Sequence, residues 1–133
     1  MDKKTNLDLA IYRLERAKED LNTAMNNYEQ KDYRAANNRA YYSIFHSIRA
    51  VFALKSIDFR RHKDVIAYFN KNYIHTDIFP RKIGHKISIA SKIREDSDYD
   101  DDFIPNTEQT IEQIKSAKEL LEIVEKYIKK YKK

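Results

Sequence analysis

Helix breakers are almost absent from this chain, and this scarcity limits its possible folds more than any other feature. Its 133 residues include one glycine, Gly84, and two prolines, Pro80 and Pro105. Charged residues, mainly lysine, glutamate and aspartate, make up much of the rest, at 35%. Sheet proteins need many turns built from glycine and proline, whereas long helices exclude both residues from their interior. The composition therefore predicts a single all-α domain over residues 1–133.

Apolar residues recur every three or four positions in five segments, which is the period of amphipathic helices. The pattern predicts helices at about 7–28, 33–55, 63–73 and 81–94, and a last helix that begins after Asn106. Asn106 and Gln109 have the spacing of a capping box. The acidic stretch 95–105 is predicted to be a loop. Together these segments predict a compact antiparallel bundle of four to five helices, with a frayed lysine-rich end at 126–133.

Several classes of site are excluded by composition. The chain has no cysteine, so it can form neither a disulfide nor a thiolate metal site. Its histidines lack metal-like spacing and a lone glycine cannot form a phosphate-binding loop, so we expect no metal and no cofactor. No apolar run resembles a secretory signal or a membrane span, which predicts a cytoplasmic protein without membrane contact. The net charge of +5 permits an anionic partner.

The second predicted helix has two dissimilar faces. Arg39 and His46 are seven positions apart, so they lie within ~20° of one face and ~10 Å apart along the axis. Small residues flank this line, namely Ala35, Ser43, Ala50 and Ala53. Bulky residues form the opposite, core-facing side: Tyr41, Ile44, Phe45, Ile48, Val51 and Phe52. We expect the Arg39–His46 face to look outward, towards a partner, although the small residues could equally pack on another helix of the chain.

The stretch AANNRAYYSIFHSIRAVFALKSIDFRRHKDVIAYF and the later REDSDYDDDF resemble the small bacterial and archaeal HEPN proteins. The resemblance extends from about residue 7 to residue 128. It implies a helical bundle that usually dimerises and, in many members, a metal-independent endoribonuclease with the signature arginine, four to six residues, then histidine. Arg39 and His46 match this signature with six intervening residues. Two family features are absent: Ala40 replaces a polar residue after the arginine, and Ile48 stands where some members carry a modified tyrosine.

The resemblance assigns Arg39 and His46 as the catalytic pair. Histidine can take or give a proton near neutral pH, and arginine presents a planar cation to phosphate oxygens. One such pair does not supply a base, an acid and a cation for RNA cleavage, whereas two copies related by a twofold axis do. We therefore expect a homodimer that cleaves RNA to 2′,3′-cyclic phosphate and 5′-hydroxyl ends.

Further residues are candidates for substrate contact. Asn38, Tyr42, Ser43 and Arg49 border or flank the line between the pair and could bind or orient substrate. The basic cluster Arg60, Arg61, His62 and Lys63 could contact the RNA backbone. For each of these residues, a solvated or packing side chain is the competing interpretation.

Two functions are consistent with these features. The first is a HEPN-type endoribonuclease that acts as a toxin or defence component, beside a nucleotidyltransferase that serves as its antitoxin. The alternative is a non-catalytic helical module that docks a nucleotidyltransferase or binds nucleotide. The presence of both Arg39 and His46 favours the enzyme, whereas Ala40 favours the binding module.

Overall fold

Five α-helices account for most of the chain. The structure, a computed structural model, describes residues 3–131 and the side chains of residues 5–131. The helices are α1 (Lys3–Glu29), α2 (Tyr33–Ala53), α3 (His62–Phe69), α4 (Arg81–Tyr99) and α5 (Thr107–Tyr131). Helix α3 continues directly into one π-helical turn, Asn70–Ile74. No strand occurs in the described range, which confirms the all-α prediction.

Helix α2 lies at the centre of the bundle. It contacts α1, α3, α4 and α5, and the short connection from α1 makes these two helices antiparallel neighbours. The bulky face that the sequence assigned to the core is buried throughout: Tyr41, Ile44, Phe45, Ile48, Val51 and Phe52. This burial packs the bulky face of α2 into the core, and the small-residue face of α2 packs against α1.

Small residues bring α1 and α2 into close contact. Alanines recur along the buried stripe of α1, and alanines and serines face them from α2: Ala10, Ala17, Ala24, Ala36, Ala40, Ser43, Ser47 and Ala50. The Ser43 hydroxyl donates a hydrogen bond to the Ala17 carbonyl at 2.8 Å. The small-residue line therefore packs on a helix of the same chain, the second of the two arrangements open from the sequence.

Helix α4 is longer than the sequence predicted. The acidic stretch expected to be a loop is helical as far as Tyr99, and the loop begins at Asp100. Cations one turn earlier explain the extension, because Lys92 pairs with Asp96 at 2.9 Å and Arg94 with Asp98 at 3.7 Å. The prediction of a loop at 95–99 is therefore wrong, because acids in this segment form ion pairs with cations one turn earlier in the same helix.

The last helix begins as the sequence predicted. The Asn106 side chain accepts a hydrogen bond from the Gln109 backbone at 2.8 Å, and the Gln109 side chain accepts one from the Asn106 backbone at 2.9 Å. This reciprocal pair is a capping box. Helix α5 continues to Tyr131, within the end expected to fray, because Ile128 is buried in the core. Lys132 and Lys133 lie outside the described residues.

Gly84 allows α4 to approach the π-helical turn. A Cβ at this position would lie 2.9 Å from the Cγ2 of Ile74, which is closer than packed carbons approach. The chain's single glycine thus serves helix packing. Among the helices of residues 3–131, none is long and apolar enough to cross a membrane.

Candidate active site

Arg39 and His46 converge on one carboxylate, that of Asp20 in α1. Arg39 Nη1 donates a hydrogen bond to Asp20 Oδ1 at 3.2 Å. His46 Nε2 lies 3.5 Å from Asp20 Oδ2, which becomes an ion pair when the imidazole is protonated, and Oδ2 has no hydrogen-bond partner among the described residues. Asp20 is buried, and a buried carboxylate is stable only beside compensating charge. The two α2 residues and Asp20 therefore form one polar cluster between the helices.

The pair is less exposed than the sequence suggested. The side chain of Arg39 is 38% exposed and that of His46 only 18%. The cause is the small-residue face itself, because it allows α1 to lie against the line that carries both residues. The expectation that the pair looks outward is thus corrected: both side chains turn towards α1 and keep one open edge.

Burial and charge act in opposite directions on His46. Burial lowers its pKa, the nearby Asp20 carboxylate raises it, and the cations Arg16, Arg49 and Arg13 lower it further. The net result is a pKa below the ordinary value of 6.5. His46 is therefore largely neutral at pH 7, in the form that can accept a proton.

Tyr42 lies beside both members of the pair. The guanidinium carbon of Arg39 is 5.1 Å from the centre of the Tyr42 ring, within the range of a cation–π contact. The ring centres of Tyr42 and His46 are 6.2 Å apart. Tyr42 thus supplies an aromatic surface at the open edge of the pair.

His62 occupies a place that its sequence context did not suggest. Its ring stacks on Phe45 with centres 4.0 Å apart, and its Nδ1 is 3.0 Å from the Tyr41 hydroxyl. It therefore belongs to the aromatic cluster beside Tyr42. Arg60 is exposed and lines a cavity together with Phe45 and His62. Arg61 and Lys63 are exposed apart from that cavity, and Arg61 pairs with Asp64 at 2.9 Å.

Arg94 of α4 reaches the same aromatic cluster from the opposite side. Its guanidinium carbon lies 5.0 Å from the Tyr41 ring centre and 5.8 Å from that of Tyr42. Asp98, one turn later, pairs with it at 3.7 Å. Arg39 and Arg94 thus both contact Tyr42, from two different helices.

The remaining candidate residues have diverse surroundings. Arg49 forms a bidentate pair with Asp58, with its Nη2 at 3.1 and 3.0 Å from the two carboxylate oxygens. Asn38 is exposed and borders a cavity of about 390 Å³ between α2 and α4. Ser43 is fully buried and is bonded to Ala17 rather than to Arg39 or His46. Ser43 therefore has a packing contact here, and no group of metal-ligating side chains occurs among the described residues.

Comparison with known proteins agrees with the resemblance. The model of the HEPN domain family matches residues 10–127. The chain belongs to the HEPN domain family. Two similar proteins of Methanocaldococcus jannaschii are each named "Putative toxin"; one is 31% identical over 116 residues, which is 87% of this chain and 86% of that protein. A "UPF0332 protein" of Thermotoga maritima is 27% identical over 113 residues, 85% of this chain and 86% of that protein.

Two residues that contact Arg39, His46 or Tyr42 in this HEPN protein, Asp20 and Arg94, were not selected from the sequence. Asp20 lies three positions after Ala17 and four before Ala24, so it occupies the buried stripe of α1. An acidic residue in the buried stripe of an amphipathic helix needs a polar partner, so the sequence alone could have identified Asp20 as a candidate. Arg94 stands in the segment that carried the resemblance, but its contact with Tyr42 depends on how α4 packs, which periodicity does not show.

His46 and His62 of this HEPN protein predict a fold that is less stable in acid. Burial lowers the pKa of His62, and Arg94, Arg49 and His46 lower it further, while Asp98 raises it. His46 and His62 thus both have folded-state pKa values below 6.5.

As pH falls through about 6.5, the two histidines bind protons in the unfolded chain before they do so in the folded protein. The contribution of these two histidines to the free energy of unfolding is therefore fully present above pH 6.5, and it is lost as pH falls towards their folded-state pKa values. We expect a lower urea midpoint at pH 5.5 than at pH 7.5. The exposed-histidine variants His75→Phe and His85→Phe should keep this difference and His62→Phe should reduce it, whereas a midpoint that rises on acidification would contradict the assignment.

Proposed function

We propose that this chain is a metal-independent endoribonuclease of HEPN type that acts as a toxin or defence component. The observation that carries the proposal is the convergence of Arg39 and His46 on Asp20 at an edge open to solvent. The family membership and the names of the two M. jannaschii relatives support the toxin assignment. RNA is the substrate under this proposal, and a nucleotidyltransferase is the expected antitoxin partner.

The chemistry follows from the charges of the cluster. Neutral His46 takes the proton of the ribose 2′-hydroxyl, and the 2′-oxygen then attacks the adjacent phosphorus. Arg39 stabilises the negative charge that develops on the phosphate oxygens. Asp20 stabilises the imidazolium that His46 becomes. Cleavage of the P–O5′ bond leaves a 2′,3′-cyclic phosphate and a 5′-hydroxyl.

A homodimer places two such clusters on one substrate. Arg39, Tyr42, His46 and Arg49 follow one another at three- and four-residue intervals along the partly open edge of α2. Two copies joined by a twofold axis along this edge would bring the Arg39 guanidinium groups of both copies together. Their repulsion is relieved when a phosphate lies between them, which favours RNA at the dimer interface.

A cleavage assay with end-group analysis tests the proposal. Purified protein is incubated with total RNA in EDTA, and the fragments are examined for 2′,3′-cyclic phosphate and 5′-hydroxyl ends. We expect fragments with these ends and no effect of EDTA. Intact RNA would reject the nuclease, and binding of a nucleotidyltransferase by the same preparation would favour the docking module. Cleavage that EDTA abolishes would contradict the metal-independent mechanism.

Mixing two inactive variants tests the dimer interface. Arg39→Ala and His46→Ala proteins are each inactive under the proposal. Under the mechanism above, Arg39 and His46 of one copy act together, so a mixed dimer has no intact pair, and the mixture should stay as inactive as its components in solutions where light scattering shows dimers that exchange. Recovery of up to about a quarter of wild-type activity would instead show that Arg39 of one copy acts with His46 of its partner, because half of random dimers are mixed and one site in each would then be intact.

A further inference from the structure

Two imidazoles flank the same pair of aromatic rings, and they come from different helices. His46 of α2 lies 6.2 Å from Tyr42 and 6.1 Å from Phe45 between ring centres. His62 of α3 lies 5.8 Å from Tyr42 and 4.0 Å from Phe45. One chain therefore carries two titratable groups beside one aromatic surface, although the signature arginine and histidine account for only one of them.

A single hydrogen bond orients His62. Its Nδ1 is 3.0 Å from the hydroxyl of Tyr41, whose burial raises the pKa of that hydroxyl and keeps it protonated. A hydroxyl can donate to the neutral ring or accept from the protonated ring. Tyr41 can therefore hold the imidazole in either protonation state, and Nε2 is the ring nitrogen left for other partners.

The imidazole also borders an open cleft. A cavity of about 460 Å³ is lined by Phe45, Arg49, Asp58, Phe59, Arg60 and His62. This volume is typical of sites for small ligands. Two arginines beside aromatic rings suit a nucleotide, because its phosphate is anionic and its base can stack. A strand that crosses Tyr42 could thus continue past His62.

The two histidines differ in their nearest polar partners. His46 faces a carboxylate, Asp20, which stabilises a proton after His46 has accepted it. His62 has the neutral Tyr41 hydroxyl as its hydrogen-bond partner at 3.0 Å, while the nearby Arg94 and Arg49 favour loss of its proton. The first environment suits a base and the second suits an acid.

We infer that His62 is the general acid of the cleavage reaction, and this inference rests on the nuclease function proposed above. In the full step, His46 takes the 2′-hydroxyl proton, the 2′-oxygen bonds to phosphorus, the P–O5′ bond breaks, and protonated His62 gives its proton to the leaving 5′-oxygen. Exchange with water then restores both histidines. The second imidazole comes from the same chain, so proton transfer does not require the His46 of a second copy.

A change of leaving atom isolates the role of His62. An RNA oligonucleotide that the wild type cuts at one mapped site is synthesised with either oxygen or sulfur at the bridging 5′ position. A thiolate leaves without protonation, so loss of a general acid matters only for the oxygen substrate. His62→Phe keeps the ring stacked on Phe45 but cannot give a proton.

We expect His62→Phe to slow cleavage of the oxygen substrate by about 10²–10⁴-fold and to leave the sulfur substrate within about threefold of wild type. His46→Phe should slow both substrates. The exposed histidines provide matched controls, and His75→Phe and His85→Phe should cleave both substrates at the wild-type rate. Thermal unfolding of each variant verifies that the bundle is intact.

Other results would overturn the inference. Equal loss on both substrates would make His62 a positioning residue, and unchanged cleavage of the oxygen substrate would remove it from the reaction. Either result leaves the nuclease function standing, because the wild type cleaves. A wild type that cleaves no RNA would instead reject the proposed function, and the assignment of His62 with it.

Discussion

Replacing His46 or Arg39 with alanine is expected to abolish RNA cleavage. Loss of the His46 base should slow the reaction by about 10²–10⁴-fold. Loss of Arg39 should slow it by about 10²–10³-fold, because no planar cation then meets the developing phosphate charge. Arg39→Lys should recover little, since an ammonium group lacks the two-point contact of guanidinium. Fragment yield from a mapped RNA, followed over time, measures each loss.

Growth of a bacterial host gives a second readout of the same variants. Induced wild type should arrest growth and fragment RNA, whereas His46→Ala and Arg39→Ala should do neither at equal soluble expression. Arg81→Ala, an exposed arginine that pairs with Asp77 at 3.5 Å, is the matched control and should remain toxic. If His46→Ala and Arg39→Ala were as toxic as wild type, the pair would have no part in the activity.

Asp20→Asn should reduce cleavage while leaving the fold intact. The amide has nearly the same shape as the carboxylate, so it leaves no cavity between α1 and α2. It carries no charge, however, and it removes the group that lies 3.2 Å from Arg39 and 3.5 Å from His46. Carboxylates that orient a histidine at metal sites contribute about 10–100-fold to activity, and Asp20 has the comparable role of holding His46 and Arg39. We expect a loss in that range, and it should appear mainly in kcat, because Asp20 is buried away from substrate.

The pH dependence separates this role from a purely structural one. Without the Asp20 carboxylate, the pKa of His46 should fall further, because that carboxylate is what raises it. The acidic limb of the kcat/KM profile should then move to lower pH in Asp20→Asn. Asp8→Asn, at an exposed position of the same helix, should leave rate and profile unchanged. An Asp20→Asn protein that cleaves faster than wild type would show that the carboxylate merely competes with phosphate for Arg39.

Periodicity predicted the parts of this fold that depend on local sequence. The core face of α2 and the capping box of α5 follow from residues within a few positions of each other, and both are confirmed. The predicted end of α4 was wrong because acids of residues 95–99 pair with the preceding Lys92 and Arg94, and these pairs keep the segment helical. Charge pairs one turn apart were visible in the sequence and would have extended the helix.

The candidate site was predictable only in part for the same reason. Arg39 and His46 share one helix, so their common face follows from helix geometry. Asp20 reaches them from α1, whereas His62 and Arg94 reach the neighbouring Tyr42 from α3 and α4. All of these contacts depend on tertiary packing. His62 looked like one of four basic residues in a connection, and its stack on Phe45 and its hydrogen bond with Tyr41 distinguish it from Arg60, Arg61 and Lys63.

The contact of α1 with α2 has a consequence for the order of assembly. Asp20 and Arg39 are 19 positions apart, and the Ser43–Ala17 hydrogen bond spans 26. Such short loops close quickly and come from the part of the chain made first. A growing polypeptide should therefore join Asp20, Arg39 and His46 while α4 is still being synthesised. Under the proposed mechanism this early hairpin lacks its proton donor, so the chain should gain cleavage activity only after α3 has packed on it.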